Sequence, residues 1–226
     1  MYVHNGTTAV AFAINQVDSV TFYRSTQTAI TDADGNVYTS VTIGTQEWMT
    51  ENLRTTKYSD GTAIPNVTDN SQWENLSTGA WCNYNNSSSN DATYGKLYNW
   101  YAASNSRNVC PTGWHVPTDS EWTVLTDYLT ANGHSGAEGT ALKATSGWSS
   151  GVNGTDDYGW LGLPGGGRAT YGYFDLVGNY GTGTWWSSSQ YGTNDAWSRD
   201  LSYYDDGVDR NLSLKDYGFS VRCLRD

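Results

Sequence analysis

Val10, Phe12 and Ile14 alternate with Ala11, Ala13 and Asn15, the period of two expected of a half-buried strand. The β-branched and aromatic run 17–23 reads as a second strand. Together they set residues 1–29 apart as a short N-terminal β segment ahead of a domain over 30–226. At the head of that domain, Asp34-Gly35-Asn36 separates Ala29-Ile30-Thr31 from the run Val37 to Ile43, which predicts a β-hairpin. Asp32, Asp34 and Asn36 are spaced like the first ligands of a calcium loop, yet Ile43 stands at the twelfth position, where such a loop needs Glu. Turn chemistry is the better account of these acids.

Two stretches switch to the helical period. Over 94–104, Leu97, Trp100 and Tyr101 fall at i, i+3 and i+4 on one stripe. Pro117-Thr118-Asp119-Ser120-Glu121 opens a second helix, with Thr118 placed to cap it and Glu121 to reach back. Asp119 and Glu121 also set negative charge at the positive end of the helix dipole. Trp122, Leu125 and Leu129 line its buried face, and Asn132-Gly133 marks its end. Segment 83–91 is a polar loop, and short strands with Gly-rich connectors follow Gly147. Leu163-Pro164-Gly165-Gly166-Gly167-Arg168 lacks the GK[ST] ending of a phosphate loop and reads as a tight turn or close backbone approach.

Strict alternation returns over 197–215. Trp197, Arg199, Leu201 and Tyr203 share one face, and Ser198, Asp200, Ser202 and Tyr204 the other. After the turn Asp205-Asp206-Gly207, Val208, Arg210, Leu212 and Leu214 alternate with Asp209, Asn211, Ser213 and Lys215. This predicts a hairpin whose apolar face turns inward, with the two Arg stems buried, while the polar face turns outward. The stretch 186–195 has the same polar character. Ser, Asn, Asp and Tyr supply hydrogen bonds at low side-chain entropy, as adaptable binding surfaces require. The candidate ligand contacts are therefore Trp186, Ser187, Tyr191, Asn194, Asp195, Ser198, Asp200, Ser202, Tyr204, Asp205, Asp206, Asp209, Asn211 and Ser213. A polar face that simply meets water is the competing reading.

Charge narrows the partners. Lys and Arg number 12 against 23 Asp and Glu over 226 residues, a net charge of −11. That balance disfavours nucleic acid and anionic membrane surfaces, both of which need a basic patch. A hydrophobic content of 37% would permit disorder, but 14% aromatic residues point to a packed core of large rings. No apolar run reaches the roughly 18–20 residues of a membrane span. Tyr2-Val3-His4-Asn5 offers neither a basic nor an apolar leader region.

Catalytic chemistry finds little support. Cys82, Cys110 and Cys223 lack CxxC spacing, so no zinc site is expected, and three thiols allow at most one internal disulfide. His115, between Trp114 and Val116-Pro117, reads as a packed or surface histidine rather than a general base. Asp156-Asp157 and Asp205-Asp206 are adjacent pairs whose side chains point apart in extended chain. No catalytic residue, metal or cofactor is expected.

Several ordered blocks between residues 30 and 226 resemble the Fibrobacter succinogenes major paralogous domain. They are Asp34-Gly35-Asn36-Val37-Tyr38, Trp48-Met49-Thr50-Glu51-Asn52-Leu53, Gly95-Lys96-Leu97-Tyr98-Asn99-Trp100-Tyr101-Ala102, Cys110-Pro111-Thr112-Gly113-Trp114-His115-Val116-Pro117 and Gly218-Phe219-Ser220-Val221-Arg222-Cys223. That family is similar to a branch of the C-type lectin fold shared with formylglycine-generating enzymes. The resemblance implies an α+β C-type-lectin-like domain, with two helices, twisted antiparallel sheets and long loops. It also implies an extracellular or cell-surface protein of Bacteroidetes-type bacteria. Cys110 and Cys223 lie in the shared blocks, which implies a disulfide between them and leaves Cys82 free.

Formylglycine-generating enzymes carry paired cysteines upstream of the ending that resembles Gly218–Cys223. No cysteine lies between Trp197 and Phe219, so that oxidation is not expected. The chain also resembles the variable proteins of diversity-generating retroelements, whose C-terminal segment displays changeable Asn, Tyr, Asp and Ser residues. Neither the EPN nor the QPD tripeptide of calcium-dependent lectins is present. The implied function is non-enzymatic recognition of a protein or glycan on another cell or surface. The alternatives are a structural or adhesin module of a bacterial surface or pilus assembly, and a degenerate formylglycine-generating-enzyme-like protein.

Overall fold

The computed structural model describes residues 2–5, 8–11, 29–148, 151–174 and 181–226. Strands β1 (Tyr2–Asn5) and β2 (Thr8–Ala11) pair antiparallel with each other. The strand expected at 17–23, and the Phe12 and Ile14 end of the first one, lie outside the described residues. The hairpin expected around Asp34-Gly35-Asn36 is present as β3 (Ile30–Thr31) and β4 (Val37–Tyr38). Asp32 Oδ1 accepts the Asp34 and Asn36 amides at 2.9 Å each, so these residues do turn chemistry.

A second hairpin follows, β5 (Ser40–Ile43) and β6 (Gln46–Met49). Next come α1 (Asn70–Glu74), β7 (Trp81–Asn83), α2 (Asp91–Tyr94), β8 (Lys96–Asn99), α3 (Trp100–Ala103) and β9 (Trp114–His115). Helices α4 (Asp119–Leu129) and α5 (Glu138–Leu142) precede the long strands β10 (Thr182–Tyr191), β11 (Asp195–Ser202) and β12 (Asp209–Leu214). β13 (Gly218–Phe219) and β14 (Leu224–Arg225) complete three antiparallel sheets, ordered β13-β8-β7, β5-β6-β14-β9 and β10-β11-β12.

One predicted helix is a strand. Residues 96–99 form β8, the middle strand of its sheet, and within 94–104 only Tyr94, the end of α2, and 100–103 are helical. All four β8 residues are buried, and a short run apolar on every side does not distinguish a central strand from a helix. Gly95, at φ +72°, breaks the pattern: a Cβ there would stand 2.8 Å from both Asn52 Cβ and the Leu53 carbonyl. The α4 prediction holds. Thr118 Oγ1 accepts the Glu121 amide and Glu121 returns to the Thr118 amide, while Trp122, Leu125 and Leu129 are buried.

β10 joins two cores through adjacent tryptophans. Trp185 packs with Trp48, Trp122 and Trp160, and with Leu125 and Leu129 of α4. Ring centroids there are 4.7 Å apart for Trp48–Trp122 and 5.0 Å for Trp160–Trp185. Trp186 points the other way, against Phe219, Tyr98 and Ala196. A buried aromatic ring removes roughly 150–250 Å² from water, on the order of 4–6 kcal/mol of gross transfer free energy. A disulfide between Cys110 and Cys223 ties the chain before β9 to the chain before β14, as the family blocks implied.

Candidate functional site

The β10-β11-β12 sheet carries the candidate residues, and its register sets which way each one faces. Trp185, Arg199 and Arg210 form one cross-strand row, followed on the same face by Trp197–Leu212 and by Tyr191–Asp195–Leu214. Trp186–Ser198–Asn211 and Thr184–Asp200–Asp209 lie on the opposite face. Asp119 of α4 pairs with Arg199, and Leu201 shares a core with Trp122, Leu125 and Leu129, whereas Trp197 belongs to neither tryptophan core.

Both faces of β11 are therefore partly covered, which corrects the expected division into an inner apolar and an outer polar side. Ser198 and Ser202, expected in the outer surface, are buried, as are Trp186 and Ser187. None of these four is free to touch a ligand. The physical reason is β11's central position in the sheet: the second core, which holds Trp186 and Ala196, packs against its even-numbered face. The serine run 187–189 serves structure in the same way. It forms an irregularity in β10 between Trp186 and Gln190. Ser187 C=O accepts the Trp100 indole at 3.0 Å, Ser188 donates its amide to Pro117 C=O at 2.8 Å, and Ser189 Oγ accepts the Asp119 amide at 3.0 Å.

On the other side, residues expected inside lie open. Leu212 and Leu214, on edge strand β12, are 44% and 43% exposed. With Tyr191, 52% exposed, they surround Trp197, whose ring centre is 5.2 Å from that of Tyr191. Arg210 stacks on the Trp197 ring at 3.4 Å. Its guanidinium is held by Asp119, which also pairs with the buried Arg199 at 2.8 Å. Hydrogen bonds from Arg210 and then Arg199 outweigh burial and hold the Asp119 carboxyl below its ordinary value. Trp197, Leu212, Leu214 and Arg210 were missed as surface residues because alternation alone cannot show which positions a core will cover.

The turns flanking this face are fastened. Lys215 Nζ donates to the Thr193 carbonyl at 2.8 Å and lies 4.6 Å from the Trp100 ring centre, fixing the β10–β11 turn. The β11–β12 connection is longer than the tight Asp-Gly turn expected, since β11 ends at Ser202 and β12 begins at Asp209. Buried Lys143 donates to the Asp205 carbonyl, and the Thr140 hydroxyl to Asp206 Oδ1 at 2.9 Å. Gly139 permits this docking: a Cβ there would meet the Gly207 carbonyl at 1.9 Å. Of the candidate residues, Tyr191, Asn194, Tyr204, Asp205, Asp206 and Asn211 are exposed, while Asp195, Asp200, Asp209 and Ser213 are half-buried.

Comparison with known proteins places this geometry in a family. The model of the Fibrobacter succinogenes major domain matches residues 41–225. The chain belongs to that family. No curated protein and no solved structure matches it. The match to the Fibrobacter succinogenes major domain takes in the whole of the β10-β11-β12 sheet, both tryptophan cores and the disulfide.

Within this Fibrobacter succinogenes major domain, His115 is clasped between Asp226 Oδ1 at 2.7 Å and Glu121 Oε1 at 3.0 Å. It thereby fastens the start of α4 to β14. Asp156 Oδ1 accepts the Leu161 amide, and Asp205 Oδ1 the Gly207 amide, so both acid pairs serve their own turns. Among the described residues, no helix is long and apolar enough to cross a membrane.

Proposed function

We propose that this chain is a non-enzymatic recognition domain, a rigid C-type-lectin-like scaffold presenting the outer face of β11–β12 to a protein or glycan on another cell or surface. The observation that carries this reading is the half-exposed ring of Tyr191, Leu212 and Leu214 around Trp197, with Arg210 stacked on the indole. Trp, Tyr and Arg are the side chains that dominate binding hot spots. The fastened turns support the reading too, since a surface held rigid before binding loses little entropy on association. An extracellular location belongs to the proposal, and the disulfide is compatible with it. Formylglycine-type oxidation does not: the cysteine outside the disulfide, Cys82, is buried, and burial raises its thiol pKa to about 11.

Retroelement diversification is the second half of the proposal, and the burial pattern sharpens its test. Sequencing the locus from independent isolates is expected to place substitutions at Tyr191, Asn194, Tyr204, Asp205, Asp206 and Asn211, while Trp186, Ser187, Ser198 and Ser202 stay fixed. Substitutions spread evenly over the two sets would refute it. For binding itself, the domain is applied to a glycan array and to intact bacterial cells. The double variant Tyr191→Ala, Leu212→Ala should lose the signal while keeping its melting temperature. Undiminished binding would move the site elsewhere. The exposed leucines of edge strand β12 favour one further reading, a structural or adhesin module whose partner is a neighbouring copy. Concentration-dependent growth in light scattering without added ligand would identify that case.

A further inference from the structure

A cavity of about 360 Å³ lies apart from the hairpin, sharing none of its residues. Its walls draw on three of the blocks that carry the family resemblance, Glu51 and Asn52 from Trp48–Leu53, Gly95 from the second and Arg222 from the third, with Arg54 immediately after the first. Thr50 and Thr93 add hydroxyls, and Leu161 and Leu163 an apolar side.

Two guanidinium groups line this cavity, and among the described residues neither has a carboxylate within ion-pair distance. Arg222 is buried and stacks on Trp160 at 3.8 Å. Its hydrogen bonds go to neutral oxygens: Asn52 Oδ1 at 2.8 Å and the carbonyls of Trp160 and Leu161. A buried cation normally has a counter-charge. Arg54 donates from Nη2 to the Val37 carbonyl at 3.2 Å, but its Nε is buried with no hydrogen-bond partner. Glu51 is the one acid of the wall, and both its oxygens are taken, by the Thr39 amide and hydroxyl at 2.9 Å each.

Arg168 shows that an unpaired buried arginine is not by itself a site. It is buried, and its donors go to the carbonyls of Val67, Thr68 and Gly172 and to Asn70 Oδ1. What sets Arg222 apart is the cavity beside it, a second guanidinium with an idle donor, and Leu161 at the rim in the left-handed region at φ +56°. Glu51 and Asp156 both act on Arg222 through space, but neither makes an ion pair with it.

We propose that this cavity binds an organic monocarboxylate of monosaccharide or amino-acid size that also carries hydroxyl or ammonium donors. The carboxylate takes the accessible edge of the Arg54 guanidinium and the field of Arg222. The ligand's donors reach Thr50, Thr93 and the outer lone pairs of Glu51. A volume near the low end of the roughly 300–1,000 Å³ found for ligand pockets limits the ligand's size.

The test uses the intact chain, titrated with sodium D-glucuronate and with L-serine by ligand-observed NMR and thermal shift. D-glucose, propionate and inorganic phosphate serve as comparators. At least one of the first two is expected to bind and raise the melting temperature, more tightly than all three comparators. Arg54→Gln should weaken binding about tenfold or more, the loss of one charge-assisted hydrogen bond. Ala92→Trp, at the exposed mouth, should abolish it and keeps the test valid if the Arg54 variant misfolds. Silence from both probes, equal binding of glucose, propionate or phosphate, or binding unchanged in Ala92→Trp would each overturn the proposal. None of these outcomes bears on the hairpin face, whose variants are read on different ligands.

Discussion

Arg210 lies 3.4 Å above the centre of the Trp197 ring, and the Asp119 carboxylate holds its far side at 2.7 Å. Asp119 is the first residue of α4 and also grips the buried Arg199 from the adjacent strand. One carboxylate thus joins a helix start, a central strand and an edge strand, and orients the arginine on the proposed recognition face.

Asp119→Asn should leave Arg199 buried without its counter-charge and free Arg210 from the indole. The expected loss is about 2 kcal/mol, less than the roughly 3–5 kcal/mol of a fully buried pair because Arg210 is half exposed. Urea denaturation measures the loss, and a cost below about 0.5 kcal/mol would mean the clamp is a surface pair of little weight.

Acid should unfasten two carboxylates in turn. Asp119 has its pKa lowered from 3.8, so its contribution is complete above that value and is lost as pH falls through the lower folded value. At Asp34, burial pushes the pKa up, but the Thr56 amide, Lys57 and the Thr55 and Thr56 hydroxyls outweigh it and bring the carboxyl to about 2. Its stabilisation is therefore lost between pH 3.8 and about 2. Asp209 and Asp216, raised chiefly by burial, act in the opposite sense. Thermal melts from pH 6 to pH 2 should show the wild type losing stability more steeply than Asp34→Asn below pH 4 (about the carboxylate range).

Cys82 should resist alkylation in the native protein, because it is buried and its thiol is pushed up to about 11. Unfolding without reductant should expose one reactive thiol, and reduction should raise the number to three. The Cys110–Cys223 bond spans 113 residues, so replacing both cysteines by Ala should cost about 4 kcal/mol. Mass spectrometry and denaturant titration check the two halves.

Trp122→Phe and Trp186→Phe should differ although both rings are buried. The Trp122 Nε1–H has no hydrogen-bond partner among the described residues, whereas Trp186 Nε1–H donates to the Tyr98 carbonyl at 2.8 Å. Truncating Trp186 forfeits that bond inside the core, so it should cost about 1–2 kcal/mol more than truncating Trp122. Equal midpoints in urea would contradict the assignment.

Local chemistry was enough to write several elements in advance. The Thr118–Glu121 capping box, the apolar stripe of α4 and the Asp34-Gly35-Asn36 turn depend on residues within a few positions of each other, and short-range hydrogen bonding and periodicity dictate them. Even the failure at 96–99 was local in origin, because four consecutively buried residues suit a middle strand as well as a helix. The two strands of the C-terminal hairpin were legible too, but their register was not: the turn expected at 205–207 would set Tyr204 opposite Val208, whereas Asp200 lies opposite Asp209. What alternation left open was which face would be covered, since that depends on elements distant in the chain. Trp197 is left out of both tryptophan cores, while Ser198 beside it is buried. The same holds for the cavity between Arg54 and Arg222, residues 168 positions apart whose common wall exists only once two sheets have packed.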